Sequence, residues 1–277
     1  MSHWFEDHVL ANGVRLHYYR TGDATKPPLL LLHGFTDAGL CWTAVAKELE
    51  ADYDVVILDA RGHGLSGAAA NGFTTELLVS DVATVIQALQ LQPVSLLGHS
   101  MGAHTAAHIT RRYPALVRSV LLEDPPWRGF DAEPLSDEEE SGLEQWATNM
   151  RELQKQPLAE RIEDAADFNP YWLPDDVHTW AEAQGQFQVE VFSQGLHQVS
   201  REWKAIVPAL PRPGLLITGD PVRGAIVTPE VARQALETWS AGRLVNIAGA
   251  GHSIRRDRHQ DFVTAVRQFL EKNNEEK

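Results

Sequence analysis

PVSLLGHSMGAHTAAHI, residues 93–109, runs from an apolar stretch straight into a helix-like pattern and sets Ser100 between two glycines at the junction. A hydroxyl that is to attack a substrate has to stand clear of the backbone. Glycines at 98 and 102 remove the Cβ atoms that would obstruct a sharp strand-to-helix turn, and the N-terminus of the following helix favours developing negative charge. The bare G-x-S-x-G pattern also arises by chance, so the buried strand before it and the helix after it carry the reading. The alternative is that Ser100 is an ordinary helix N-cap.

Outward from this corner the chain alternates. On the N-terminal side lie a strand at Val14–Arg20 after the Asn12–Gly13 turn, the run PLLLLHG (28–34), a helix over about 40–49, YDVVILDARGHG (53–64) and a helix over about 75–91. On the other side lie a helix to about Tyr113, a strand at Val117–Leu122 ending in EDPPW, PGLLITGD (213–220), a helix over about 229–239, RLVNIAG (243–249) and a helix over about 258–272. Unbroken apolar runs suit strands buried on both faces, and their alternation with helical patterns predicts an α/β fold with a mostly parallel sheet. No repeat, low-complexity linker or second core is visible.

Between Trp127 and about Val207 the rhythm stops. This stretch shows helix-like patterns and no strand signal, and holds 17 acidic and 6 basic residues and five of the eight tryptophans. It predicts a helical insertion (127–207) in a core formed by 1–126 and 208–277. Its charge of −11 accounts for most of the chain's −14, so the acidity belongs to the insertion. SDEEES (136–141) reads as the start of a solvated helix with Ser136 as N-cap. Such acidity argues against a phosphate-binding surface and so against nucleic acid as partner.

The single cysteine, Cys41, excludes an internal disulfide and suits a reducing compartment. With no apolar run near the ~20 residues of a membrane span, and no charged-then-apolar leader at the start, the expectation is a cytoplasmic protein without a membrane partner. No metal site is expected: His104 and His108, four apart, read as helix-face residues. GDPVRG (219–224) lacks the lysine of a phosphate loop.

LLLLHGFTDAG (29–39), DARGHGLS (59–66), GHSMG (98–102), LLEDPP (121–126), GDP (219–221) and GAGHSIRR (249–256) together resemble the α/β-hydrolase superfamily, in its lid-bearing serine esterase and lactonase type. The resemblance covers nearly the whole chain. It implies an eight-stranded, mostly parallel sheet flanked by helices, with a helical lid inserted after the sixth strand. It also implies Ser100 as nucleophile and His252, in a Gly-rich loop after the last strand, as base; the other reading of His252 is a surface loop histidine. Backbone amides of Met101 and Phe35 would bind the oxyanion. His33 and His99, beside strand ends, read as structural, and His63 as stabilising its loop.

The orienting acid departs from the family's usual pattern, in which an acid follows the glycine of the seventh strand by a few residues; here Gly219 leads into Asp220, Pro221 and Val222. Asp124, after the sixth strand, is the preferred acid because some relatives use that position, with Asp220 as the alternative and Glu123 third. Trp127, Trp146 and Trp172, with His33, are candidate pocket residues, which suggests a substrate with an apolar part. The expected function is hydrolysis of a small-molecule carboxylic ester or lactone through an acyl-enzyme, without a cofactor, by a monomer or homodimer. C–C bond hydrolysis or a lyase reaction on the same triad, and a small-ligand receptor with little turnover, stay open as alternatives.

Overall fold

The structure is a computed structural model describing residues 4–128, 137–194 and 203–275. Eight strands form one sheet: β1 (Phe5–Ala11), β2 (Val14–Arg20), β3 (Pro28–Leu32), β4 (Asp54–Leu58), β5 (Val94–His99), β6 (Val117–Glu123), β7 (Gly214–Thr218) and β8 (Gly242–Asn246), in the order β1-β2-β4-β3-β5-β6-β7-β8. Only β2 runs against its neighbours, antiparallel to β1 and to β4. Asn12 and Gly13 both have positive φ, the geometry a two-residue hairpin needs, and they close β1 onto β2.

Alternate residues of the central strands feed two separate cores. Leu30 and Leu32 of β3, Val56 and Leu58 of β4 and Leu96 of β5 face one, packed against α2 (Thr75–Ala88), α3 (Met101–Arg112) and α8 (Pro229–Thr238). Leu29 and Leu31, Val55 and Ile57, and Leu97 face the other, against α1 (Thr43–Leu49) and α10 (His259–Glu275). Two-sided burial is why these segments read as unbroken apolar runs.

Between β6 and β7 the described residues contain helices and no strand: α4 (Asp137–Lys155), α5 (Leu158–Phe168), α6 (Pro174–Gln186) and the short α7 (Trp203–Ile206). Helix α6 lies on the sheet domain, where Gln184 Nε2 donates to the Thr36 carbonyl at 3.1 Å and Lys47 pairs with Asp175 at 2.8 Å. The two ends of the interval behave differently. Trp127 and Trp203 stack on each other at 5.8 Å, are 1% and 3% exposed, and join the core beneath α3 and α8. Ser136, expected as an N-cap, lies outside the described residues. No described helix is long and apolar enough to cross a membrane.

The chain runs from β3 to β4 on one side and crosses to β5 on the other, so the loops after β3 and β5 diverge at the carboxyl edge of the sheet. Such a switch point opens a crevice. The loop after β3 carries Phe35, and β5 ends one residue before Ser100.

Candidate active site

Ser100 has φ 50° and ψ −114°, outside the regions a side-chain-bearing residue normally occupies. Such a conformation costs on the order of 1–3 kcal/mol and persists only where the surroundings enforce it. Here the enforcement is close backbone approach. A Cβ on Gly98 would come 2.3 Å from the Gly102 carbonyl oxygen, and one on Gly102 would come 2.2 Å from that of Leu32. The turn is tied further by Ser100 N–H to the Glu123 carbonyl at 2.9 Å. Although Ser100 stands at the N-cap position of α3, its side chain makes no capping hydrogen bond, so the N-cap alternative has no support in the geometry.

His252 Nδ1 lies 2.6 Å from Asp124 Oδ2. The Asp124 side chain is fully buried and also accepts from Ile226 N–H at 2.8 Å and Val227 N–H at 2.9 Å. With both oxygens held by backbone amides, the carboxylate is fixed where the imidazole meets it. Asp220 is used otherwise: its Oδ2 accepts from Gly249 N–H at 2.6 Å and so ties the loop after β7 to the one after β8. Glu123, the last residue of β6, does not meet His252 and takes Arg255 Nη1 at 3.1 Å and Arg255 N–H at 2.9 Å. Burial pushes its carboxyl above the ordinary range, against the pull of Arg255.

The loop bearing His252 meets the strand that leads into Ser100. His99 Nε2 lies 3.0 Å from the His252 carbonyl oxygen, and the two rings are 4.6 Å apart. Burial, reinforced by Arg255, lowers the His99 pKa well below its ordinary value, so the ring is neutral and its Nε2–H is the donor. His33, expected at the pocket, is 2% exposed and both ring nitrogens are engaged: Nδ1 with the Gly34 carbonyl at 2.8 Å and Nε2 with Ala60 N–H at 3.0 Å. It offers no free nitrogen to a ligand and instead pins the turn carrying Phe35. His63 bonds the Arg61 carbonyl at 2.8 Å, and burial takes its pKa down to about 3.

The side chains of Phe35 and Met101 belong to a third apolar cluster shared by the sheet domain and the insertion. The Phe35 ring lies 5.2 Å from Trp146, 5.1 Å from Phe187, 5.2 Å from Phe192 and 6.1 Å from Phe73, mostly edge to face. Trp146 remains 42% exposed and so has surface left for a ligand. Trp127 does not: with 1% exposure it is a core residue, a correction to its place among the pocket candidates, and its reason is the stacking on Trp203. Trp172 is half-buried, with its indole N–H donating to Asp257 Oδ1 at 2.8 Å and the Arg256 guanidinium 4.8 Å over its ring.

The site also holds residues that the sequence reading did not single out. Asp37 is buried and binds Arg255 Nη2 at 2.8 Å and Arg256 Nη2 at 3.0 Å. Although burial pushes the Asp37 carboxyl up, the Arg256 and Arg255 guanidiniums hold it well below the usual carboxylate range. The signal was in the sequence: two consecutive arginines after GHS and an aspartate inside GFTDAG, all within apolar context. The His104 and His108 rings lie 4.3 Å apart on α3, tilted by 56°, with His104 buried and 3.4 Å from Thr75 Oγ1. Cys41 is buried with its thiol pushed up to about 12, and so stays protonated.

Comparison with known proteins places this arrangement. The chain is 28% identical over 268 residues to N-formylmaleamate deformylase of Pseudomonas putida, covering 95% of each chain. The solved N-formylmaleamic acid deformylase of Pseudomonas putida S16 superposes with a TM-score of 0.76 at 24% identity, over 95% of this chain and 100% of that one. A thermophilic esterase from Thermogutta terrifontis gives 0.75 at 22% identity, over 97% and 99%. At such identities the two structures attest the fold alone. Residues 29–265, from β3 into α10, match the model of the alpha/beta hydrolase family, and it is to this family of hydrolases that the chain belongs.

Proposed function

We propose that the protein hydrolyses a carboxylic ester or lactone with an apolar part through an acyl-enzyme. Ser100 attacks the carbonyl while His252 takes its proton; Asp124 holds the Nδ1–H tautomer, leaving Nε2 as the base. The tetrahedral oxyanion is bound by the amides of Phe35 and Met101. His252 then returns the proton to the leaving oxygen, and water attacks the acyl-enzyme by the same route in reverse. The observation that carries this reading is the 2.6 Å contact of His252 with a fully buried Asp124 whose oxygens are already fixed by two amides.

Three further features support it. The Ser100 hydroxyl on its strained turn makes no capping bond to α3 and so is not committed to the helix. The rings around Phe35 form an apolar, aromatic surface beside the oxyanion amide and favour an acyl group that is apolar. The segment between β6 and β7 contributes Trp146, Phe187 and Phe192 to that surface, which suits a lid.

A second reading comes from the relative that matches nearly the full length, a deformylase: the same groups would cleave the C–N bond of a formyl amide, with nitrogen in place of oxygen as leaving atom. The test is stoichiometric labelling of Ser100 by a fluorophosphonate, together with turnover of p-nitrophenyl esters, lactones and N-formyl amides. Ester or lactone turnover that vanishes in Ser100→Ala supports the first reading. Labelling with turnover of N-formyl amides only supports the second, and absence of labelling overturns both.

A further inference from the structure

We propose that Trp172 and Asp257 are positioning residues for His252. The indole of the inserted segment holds the Asp257 carboxylate, and that carboxylate holds the backbone of the residue before the histidine. The proposal rests on the reading of His252 as the base.

Upstream of His252, Asp220 holds Gly249 and Ala250, and between Gly251 and Arg255 three backbone groups are held by side chains. Gly251 N–H donates to Asp257 Oδ2 at 2.7 Å, the His252 carbonyl accepts from His99 Nε2 at 3.0 Å, and Arg255 N–H donates to Glu123 Oε1 at 2.9 Å. His99 and Glu123 are the last residues of β5 and β6, so two of the ties come from the sheet. The third does not. Asp257 reaches its orientation through its other oxygen, which takes Trp172 Nε1–H at 2.8 Å from the connection between α5 and α6.

Trp172 is itself gripped on its face. The Arg256 guanidinium lies 4.8 Å from its ring centroid, is 2% exposed, and is anchored to Asp37 at 3.0 Å. A buried cation on the ring and a carboxylate at its edge fix the indole in two directions, and both partners lie within five residues of His252. The inserted segment is thereby bolted to the strand of polypeptide that carries the imidazole. A segment that covers the site then also sets the angle at which the imidazole faces Ser100. Small angular errors matter here, because a misplacement of about 1 Å costs on the order of a hundredfold in rate.

The experiment measures kcat and KM on one p-nitrophenyl ester, with fluorophosphonate labelling and thermal midpoints, for wild type, Trp172→Phe, Asp257→Ala, Asp257→Asn and His252→Ala. Trp172→Phe keeps the ring under Arg256 and removes only the N–H. It and Asp257→Ala are expected to lower kcat about tenfold with KM within about twofold, the range seen when partners that orient a functional histidine are removed. Asp257→Asn keeps one acceptor oxygen for Gly251 and recovers part of the Asp257→Ala loss. Wild-type kcat in Trp172→Phe and Asp257→Ala, with only the thermal midpoint lowered, overturns the proposal and leaves the triad intact. The comparison is made on whichever of the ester or an N-formyl amide the wild type turns over, and an active His252→Ala removes the base assignment, with which the positioning role falls.

Discussion

Strands β6 and β7 lie side by side, and each delivers an aspartate just past its carboxyl end, yet the two carboxylates do opposite work. Asp124, with φ 37°, turns into the site, is fully buried and meets His252. Asp220, half-buried with ordinary φ, makes no contact with His252 and instead ties the loop after β7 to the one after β8 through Gly249 N–H and the Ala250 carbonyl. The loop after β7 still serves the histidine indirectly, because its Ile226 and Val227 amides are the donors that fix Asp124. On the proposed reading the orienting acid sits on the neighbouring strand, and the loop of the vacated strand supplies N–H groups in place of a carboxylate.

The largest expected effect breaks this comparison directly. Asp124→Asn turns an acceptor of the His252 Nδ1–H into a group that presents either a donor or a weaker acceptor. It is expected to lower kcat by about 10⁴, the cost of the wrong tautomer in a serine triad. Asp220→Asn is expected to keep kcat within about tenfold and to lower the thermal midpoint, as a lost loop contact does. Steady-state kinetics of the two variants on one ester decides the matter; comparable small losses in both erase the distinction.

How far the sequence announced this division differs along the chain. The strand at Val14–Arg20 is read to the residue and the helix starts expected at about 75 and 229 fall at Thr75 and Pro229, because apolar periodicity is a local signal. β1 was not read: as an edge strand with its first three residues exposed it has little apolar alternation to show. Ser100, His252 and Asp124 were legible as candidates, but the choice between Asp124 and Asp220 was not. It depends on where the Ile226 and Val227 amides point, a tertiary fact that no residue type encodes. The Trp127 assignment misled for a similar reason, since a tryptophan reads the same whether it lines a cleft or stacks on Trp203 in the core.

A second asymmetry lies behind the same two strand ends. Beyond β6 stand buried charges, Glu123, Asp37, Arg255 and Arg256, whereas Asp220 beyond β7 is fixed by a backbone amide alone. Asp37→Asn leaves two buried guanidiniums short of a counter-charge and is expected to cost about 3–5 kcal/mol in urea unfolding, well above the Asp220→Asn loss. The pH dependence sharpens this. Asp37 is held below its ordinary carboxylate range, so its contribution is present above that range and disappears as pH falls through the folded-state value. Acid unfolding of Asp37→Asn therefore lacks this component.

The smallest effect separates buried histidines at the site from those away from it. His33, His63, His99 and His104 are all buried, and burial lowers the pKa of each below 6.5. The unfolded chain binds protons at these positions before the folded one does. Stability is therefore complete above about pH 6.5 and falls as pH drops below it, by up to about 1.4 kcal/mol per pH unit for each histidine until its folded-state value is reached. His104→Gln removes one such group from the body of α3, away from the Asp124 side of the sheet. It is expected to flatten the stability slope between pH 6 and 5 by about that amount while leaving kcat unchanged. His99→Gln removes the same titration but also weakens the hold on the His252 carbonyl, so it flattens the slope and lowers kcat together. Equal kcat in both variants indicates that the His99 contact only fills space, and that the strand ends, not the histidine beside Ser100, place the base.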